Sequence, residues 1–411
     1  MGVDFFRRAD WLGEARARGY LWCVALLNVA ALVLLVASSH GGIDRNGFLL
    51  GTDFISFWTT GHMLHAHANV YDIAAHTAAQ RTFFASNDSY TAFFYPPTFL
   101  PFCWPLGLLG YFPALALWLA ATGGTYLLAV RAWLNRVGVQ QPALVLFAAF
   151  PPVLITVTHG QTAFLVATLL GLGGLLALRR PWLAGLLFGL ATIKPQFGLL
   201  LPVALLLTGE WRVIAGAVLG AGALGLASTV AFGPQIWADW FHIGGAAQGA
   251  MDNGTVGYAK MQSLLAAAML LGAPGWLAYL LQGALTLAIV GAVAWASWGR
   301  RFDLPLAALV LAGAPLVTPF VLDYDMVLLA FPLIWLASEA LETGFRPWEK
   351  LVFVLTFIAG TFARPLAMFV GVPIMPVVLI AFFLFVLRRV NESPRTGRVV
   401  AGAGSGASPS Y

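Results

Sequence analysis

Long apolar runs alternate with short polar connections along this chain, and their spacing predicts helices that cross a bilayer. A span of the hydrocarbon core needs about 20 consecutive apolar residues. Runs that meet or approach this length lie at 21–37, 98–129, 141–158, 162–178, 182–207, 213–231, 261–298, 304–321, 326–338, 351–365 and 367–387. Some of them are irregular. The 98–129 run is long enough for two pieces, 261–298 is broken near Pro274, and 182–207 is interrupted by Lys194-Pro195. A proline inside a helix removes a backbone donor and clashes with the preceding turn. The pattern predicts an all-α, polytopic membrane protein with about 10–12 transmembrane or re-entrant helices. Residues 1–20 read as a cytoplasmic N-terminal segment without a clear signal-peptide cleavage pattern, 21–389 as the membrane domain, and 390–411 as a disordered cytoplasmic tail.

Composition supports this picture. The 411 residues are 60% hydrophobic and 9% charged, against roughly 25% charged in soluble domains, so the chain cannot cover a soluble surface. Fifteen Trp and 30 Phe suit a lipid-facing protein. Cys23 and Cys103 lie in apolar runs and imply no disulfide framework.

Charge then orients the spans. With the N-terminus inside, all of the 22 basic residues fall on the cytoplasmic side except Arg45, Arg81, Lys194, Lys260 and Arg364. This holds if 182–207 enters and returns as two half-helices with Lys194-Pro195 near the outer side, or if an odd extra span lies elsewhere. As one complete span it would turn Arg300, Arg301, Arg388 and Arg389 outward.

The outer side is where the polar chemistry collects. A loop of some 60 residues, 38–97, is far longer than a passive connection. Its mixture of aromatic and polar residues suggests short helices lying at the interface. A second external loop spans 232–258, and smaller turns carry His159-Gly160-Gln161, Lys194-Pro195-Gln196 and Asp323-Tyr324-Asp325. Outer acidic residues are Asp44, Asp53, Asp72, Asp88, Asp239, Asp252, Asp323 and Asp325. Asp53, Lys194, Asp323 and Asp325 abut apolar segments directly, and an ionisable group at membrane depth is a functional hypothesis by default. Each also has a plain alternative. Asp53 could be a helix N-cap, Lys194 a snorkelling lysine, Asp323 and Asp325 caps of a helix beginning near Met326, and His159 and Gln161 ordinary loop polars. The functional reading requires that they converge on one cavity.

An ordered set of motifs resembles the bacterial family-87 glycosyltransferases, which include polyprenol-phosphate-mannose-dependent alpha-1,2-mannosyltransferases. The set comprises Thr52-Asp53-Phe54, Val70-Tyr71-Asp72, Phe94-Tyr95-Pro96-Pro97, His159-Gly160-Gln161, the run from Gly189 to Gln196, and Thr318-Pro319 before Tyr324-Asp325. Family members often carry a histidine near the late acidic turn, and here that stretch has none. The resemblance implies the GT-C glycosyltransferase architecture in the inner (plasma) membrane, with the active site facing the periplasm or exterior. It also implies a polyprenyl-phosphate-linked sugar donor, commonly mannose or arabinose with mannose the first candidate, and a lipid-linked or envelope glycan acceptor. Asp53 is then the catalytic base, and Lys194 stabilises the donor phosphate, with Lys260 the second candidate. Tyr95, His159, Gln161, Gln196, Lys260, Asp323, Tyr324 and Asp325 are expected to contact substrate, and Tyr95, Trp58 and Trp240 offer flat surfaces for sugar or prenyl contact. This scheme requires no cofactor, metal or nucleic acid. A transporter or flippase of lipid-linked saccharides and a noncatalytic glycolipid-binding accessory protein are the competing readings.

Overall fold

A computed structural model describes residues 2–83 and 91–393. A short helix α1 (Gly2–Arg8) precedes the first span, α2 (Glu14–Ala37), which begins seven residues earlier than the hydrophobic run suggests because its first two turns carry Glu14, Arg16 and Arg18. The first external segment folds into α3 (Phe54–His65) and α4 (Ile73–Phe83). The 98–129 run divides as anticipated. Short helical turns from Pro97, including α5 (Leu100–Cys103), end near Leu108, and the long α6 (Tyr111–Val137) follows.

The next span is broken. α7 (Ala143–Ala149) and α8 (Pro151–His159) meet at Phe150, because Pro151 and Pro152 cannot donate to the preceding turn. Carbonyls freed inside a bilayer need another partner. Asn28 of α2 supplies it, donating from Nδ2 to the carbonyls of Ala148 at 2.9 Å and Ala149 at 3.3 Å. One polar residue in an otherwise apolar first span thus fixes that span to the bundle.

α9 (Ala163–Leu176) leads to α10 (Pro181–Leu190), Lys194 at a turn, and α11 (Leu200–Thr208). α12 (Trp211–Phe232) runs beside α10 in the same direction, with Gly185 facing Gly216 and Gly189 facing Gly220. Since α10 and α12 are parallel, α11 returns between them. The segment 182–207 is therefore a helical hairpin with Lys194 at its tip, one of the two arrangements that the distribution of basic residues favours. α13 (Gln235–Asp252), α14 (Leu264–Leu270) and α15 (Gly275–Ser297) follow, the last two separated at Pro274. α16 (Leu304–Gly313) passes into the acidic turn, whose 3₁₀ segment Asp323–Leu329 feeds α17 (Ala330–Thr343). α18 (Glu349–Pro365) and α19 (Met375–Glu392) close the bundle. Among the described residues, six segments are long and apolar enough to cross a membrane, and four shorter apolar helices lie among them. The architecture is all-α and polytopic, with no β-sheet among the described residues.

One end of the bundle gathers the basic connections. Ser338 donates to the Val137 carbonyl at 3.0 Å, Arg301 pairs with Glu210 at 3.1 Å, and Arg300 donates to the Val390 carbonyl at 3.0 Å. Buried Arg389 reaches buried Glu349 at 2.7 Å, and the Trp348 amide donates to the Arg7 carbonyl at 2.7 Å. The opposite end carries the hairpin tip and the acidic turn.

Two expectations need correction. α3 does not lie at a lipid–water interface: ten of its residues, from Phe54 to Leu64, are buried. Its backbone meets the turn at Trp104–Leu108 through Gly61 and Gly107, where a Cβ on Gly107 would stand 2.6 Å from the His62 nitrogen. The apolar residues of 54–58 serve a protein core rather than lipid. Second, α19 continues through Glu392, past the expected start of the tail at 390. The rest of that tail and Asp88 lie outside the described residues.

The α10–α12 contact yields a test. Small residues spaced four apart let membrane helices approach backbone to backbone, and a Cβ on Gly220 would stand 2.7 Å from the Leu186 carbonyl oxygen. Gly220→Leu is expected to destabilise the protein by about 1–3 kcal/mol, whereas Gly222→Leu, with open space around it, should be neutral. Apparent melting temperatures in detergent distinguish the two.

Candidate active site

The site begins where two loops are laid side by side. The Gly51 amide donates to the Thr158 carbonyl at 3.1 Å and the Asp53 amide to the His159 carbonyl at 3.0 Å. Tyr111 donates its hydroxyl proton to the Leu50 and Gly51 carbonyls at 2.8 and 2.9 Å. Gly160 ends α8 with φ +65°, and a Cβ there would press into Phe54 at 2.6 Å. Only glycine fits that conformation in that space. The His-Gly-Gln turn therefore places Gln161 against Asp53.

Gln161 is 5% exposed and fully engaged. Its Oε1 accepts from the Tyr95 hydroxyl at 2.9 Å and from the Thr162 amide at 3.0 Å, so its Nε2 must point the other way, to Asp53 Oδ2 at 2.7 Å. Asp53 stands at the N-cap position of α3 but makes no side-chain cap hydrogen bond. Its carboxylate is half-buried, held by an amide donor, and among the described residues has no cationic partner.

The relay continues from Tyr95. Burial pushes the Tyr95 phenol up to about 12, opposed by nearby Lys194, so it stays protonated and can donate. Lys194 Nζ lies 5.8 Å from the Tyr95 ring centroid, 5.9 Å from Phe197 and 4.9 Å from Tyr324. It pairs with Asp325 Oδ1 at 2.7 Å, and both residues are buried. Asp325 Oδ2 accepts the Leu322 amide at 3.1 Å, closing the acidic turn. The other acid of that turn, Asp323, accepts the Tyr324 amide at 3.0 Å and faces Arg364 of α18 at 3.5 Å. His159 packs its ring 5.9 Å from Tyr324 and lies hydrogen-bonded through Nδ1 to the Ile155 carbonyl at 2.8 Å. A histidine thus does stand beside the acidic turn, supplied by α8 rather than by the turn itself.

Asp53, Tyr95, His159, Gln161, Lys194, Asp323, Tyr324 and Asp325 are accordingly brought together. Gln196 is half-buried and makes no hydrogen bond to this network. Lys260 is exposed, although the Gln262 amide bonds the Val321 carbonyl at 2.9 Å and draws that segment to the acidic turn. Trp58 is buried, donating to the Leu109 carbonyl at 2.8 Å, and offers no open face to a sugar. Trp240 is half-buried and bonds the Phe94 carbonyl at 3.2 Å. Arg364 carries no motif that singles it out, and only its lone position outside the basic end hints at a role. Among the described residues no group of three or more His, Cys, Asp or Glu side chains is placed to hold a metal ion.

The wall behind Asp53 is fixed by a second polar chain. Gln80 Nε2 donates to His76 Nδ1 at 3.0 Å, which leaves His76 Nε2–H to donate to Thr60 Oγ1 at 3.1 Å; Thr60 in turn donates to the Ser56 carbonyl at 2.7 Å. The same Gln80 exchanges hydrogen bonds with the Thr91 backbone at 2.8 and 3.1 Å, and Thr91 Oγ1 donates to the Thr52 carbonyl at 3.0 Å. Burial lowers His76 to about 4 from the ordinary 6.5.

A polytopic helical membrane protein with a polar relay ending on a carboxylate that lacks a cation is what the fold and site define. The model of Glycosyltransferase family 87 matches residues 93–322, more than half of the chain, and the chain belongs to that family. No curated protein and no solved structure matches it. The matched region contains Tyr95, His159, Gln161 and Lys194. Asp53, Asp323 to Asp325 and Arg364 come from outside it.

The buried ion pair predicts a specific mutational pattern. Lys194→Met leaves a buried carboxylate without its cation and should cost about 3–5 kcal/mol, while Lys194→Met combined with Asp325→Asn should recover much of that loss in thermal melts. His76 gives a pH dependence. Its folded-state value is depressed, so the opened form takes up the proton first, and its contribution is complete above about 6.5 and is lost as pH falls toward 4. Hydrogen exchange of α4, corrected for intrinsic rates, should therefore be faster at pH 5 than at pH 7.5.

Proposed function

We propose that the protein transfers a sugar, with mannose the first candidate, from a polyprenyl phosphate to a hydroxyl of a lipid-linked or envelope glycan. The reaction takes place on the periplasmic or exterior face of the plasma membrane. Family membership supports a glycosyltransferase that uses a polyprenyl-phosphate sugar in general terms. The observation that carries the finer reading is the contrast among the carboxylates of the site. Asp325 is neutralised by Lys194 and Asp323 by Arg364, while Asp53 has only an amide donor. Asp53 is thus oriented yet keeps an oxygen with no cation holding it, which is what a general base requires.

In this mechanism the acceptor hydroxyl oxygen attacks the anomeric carbon from the face opposite the phosphate. Its proton passes to Asp53, the bond from the anomeric carbon to the phosphate oxygen breaks, and polyprenyl phosphate departs with the bonding pair. The product has inverted configuration. Negative charge develops on the leaving phosphate, and a preorganised cation there lowers the barrier. Lys194 retains ammonium donors beyond the one given to Asp325. Arg364 is the more exposed cation, 28% against 6% for the two side chains, and meets Asp323 at a looser 3.5 Å. We assign Arg364 the direct phosphate contact and Lys194 the support of the acidic turn behind it. Gln161 and Tyr95 orient the base, and Tyr324 and His159 line the sugar position.

The test uses purified protein with labelled polyprenyl-phosphate-mannose and envelope lipid, with the arabinose and glucose donors run in parallel. Asp53→Asn should retain donor binding and lose turnover by about 10²–10⁴-fold, the range for a general base. Arg364→Gln should weaken both donor binding and turnover. Unchanged transfer in Asp53→Asn would exclude Asp53 as the base.

A further inference from the structure

At the basic end, α2 and the bundle separate. Between them lies a cavity of about 460 Å³, lined by Leu21 and Val24 of α2, Val130 of α6, Leu333 of α17, and Phe353 and Phe357 of α18. α2 is pinned higher up, where Asn28 holds the Ala148 and Ala149 carbonyls. The lining of α2 runs from Glu14 to Val24, about 15 Å at 1.5 Å per residue.

The mouth is polar in a particular way. Trp11 lines the cavity, and its indole N–H is buried without a hydrogen-bond partner among the described residues. A buried donor left in this state is costly unless something accepts from it. Lys350, also in the lining and half-buried, has no carboxylate partner among the described residues. Its ammonium donates to the Ala9 and Leu12 carbonyls, at 3.4 and 3.3 Å, and stands 5.3 Å from the centroid of the Phe345 ring. Arg18 is at the same mouth, paired with Glu14 at 2.8 Å. An apolar slot ending on a cation with no carboxylate beside it and an N–H with no acceptor is complementary to an anionic amphiphile.

We propose that this cavity is a binding site for one anionic phospholipid of the leaflet at the basic end. An acyl chain fills the slot, and the phosphate accepts from Trp11 and pairs with Lys350. The lipid fills the space between α2 and α17–α18. The site is separate from the relay at Asp53 and does not depend on the reading of that relay as catalytic.

Native mass spectrometry of the full chain, with phosphatidylglycerol and phosphatidylcholine of matched acyl chains, tests this. One phosphatidylglycerol should be retained in preference to phosphatidylcholine. Lys350→Gln, which removes the charge and keeps an amide donor at that position, should reduce that preference by about fivefold. Trp11→Phe should weaken retention of phosphatidylglycerol while preserving the stacking on Phe5. Ala337→Trp, which fills the slot, should remove the retained lipid while the protein stays monodisperse. Equal retention of the two lipids, a preference unchanged in Lys350→Gln, or one-for-one displacement by polyprenyl phosphate would each overturn the proposal.

Discussion

The organisation of the polar end depends on the ion pair between Lys194 and Asp325. Neither charge is tolerable alone in a low-dielectric interior, where removing ions from water costs several kcal/mol each. Each therefore fixes the other, and with them two chain segments 131 residues apart. Lys194 sits at the tip of a helical hairpin broken by Pro195, and Asp325 in the turn that starts α17. Irregular backbone at such depth persists only where protein buries it and satisfies its polar groups. Here Tyr95, Phe197 and Tyr324 surround the ammonium, and the Leu322 amide takes the second carboxylate oxygen.

From that pair the order propagates outward. Tyr95 flanks Lys194 and bonds Gln161; Gln161, with its amide direction thereby determined, bonds Asp53. The left-handed Gly160 and the His76–Gln80 chain hold the two loops that meet there. The result is asymmetric: acids that carry structure have cations, and the acid offered as the base has none. That asymmetry separates an oriented general base from a structural carboxylate.

Much of the fold was legible because the bilayer imposes few solutions. The positions of arginine favour a hairpin at 182–207 over a single complete span, and Pro274 announces the break between α14 and α15. Asp53, Lys194 and Asp325 stood out because ionisable residues abutting apolar runs are expensive. What could not be read were choices between environments that look alike in one dimension. The run from Phe54 to Trp58 suits a lipid interface as well as a core, and only its packing against Gly107 decides for the core. The Lys194–Asp325 and Arg364–Asp323 pairs join residues too distant for any local pattern. Gln196 and Lys260 were polar residues at the right depth, but their side chains do not join the network.

The account places the reaction between Asp53 and Arg364 at the end of the bundle opposite the basic connections. A cryo-EM structure with a non-transferable polyprenyl-phosphate sugar analogue tests this most directly. The account predicts the sugar beside Asp53, with the acceptor side of its anomeric carbon open to that carboxylate, and the phosphate against Arg364. A phosphate bound at the basic end, or a sugar out of reach of Asp53, would contradict it.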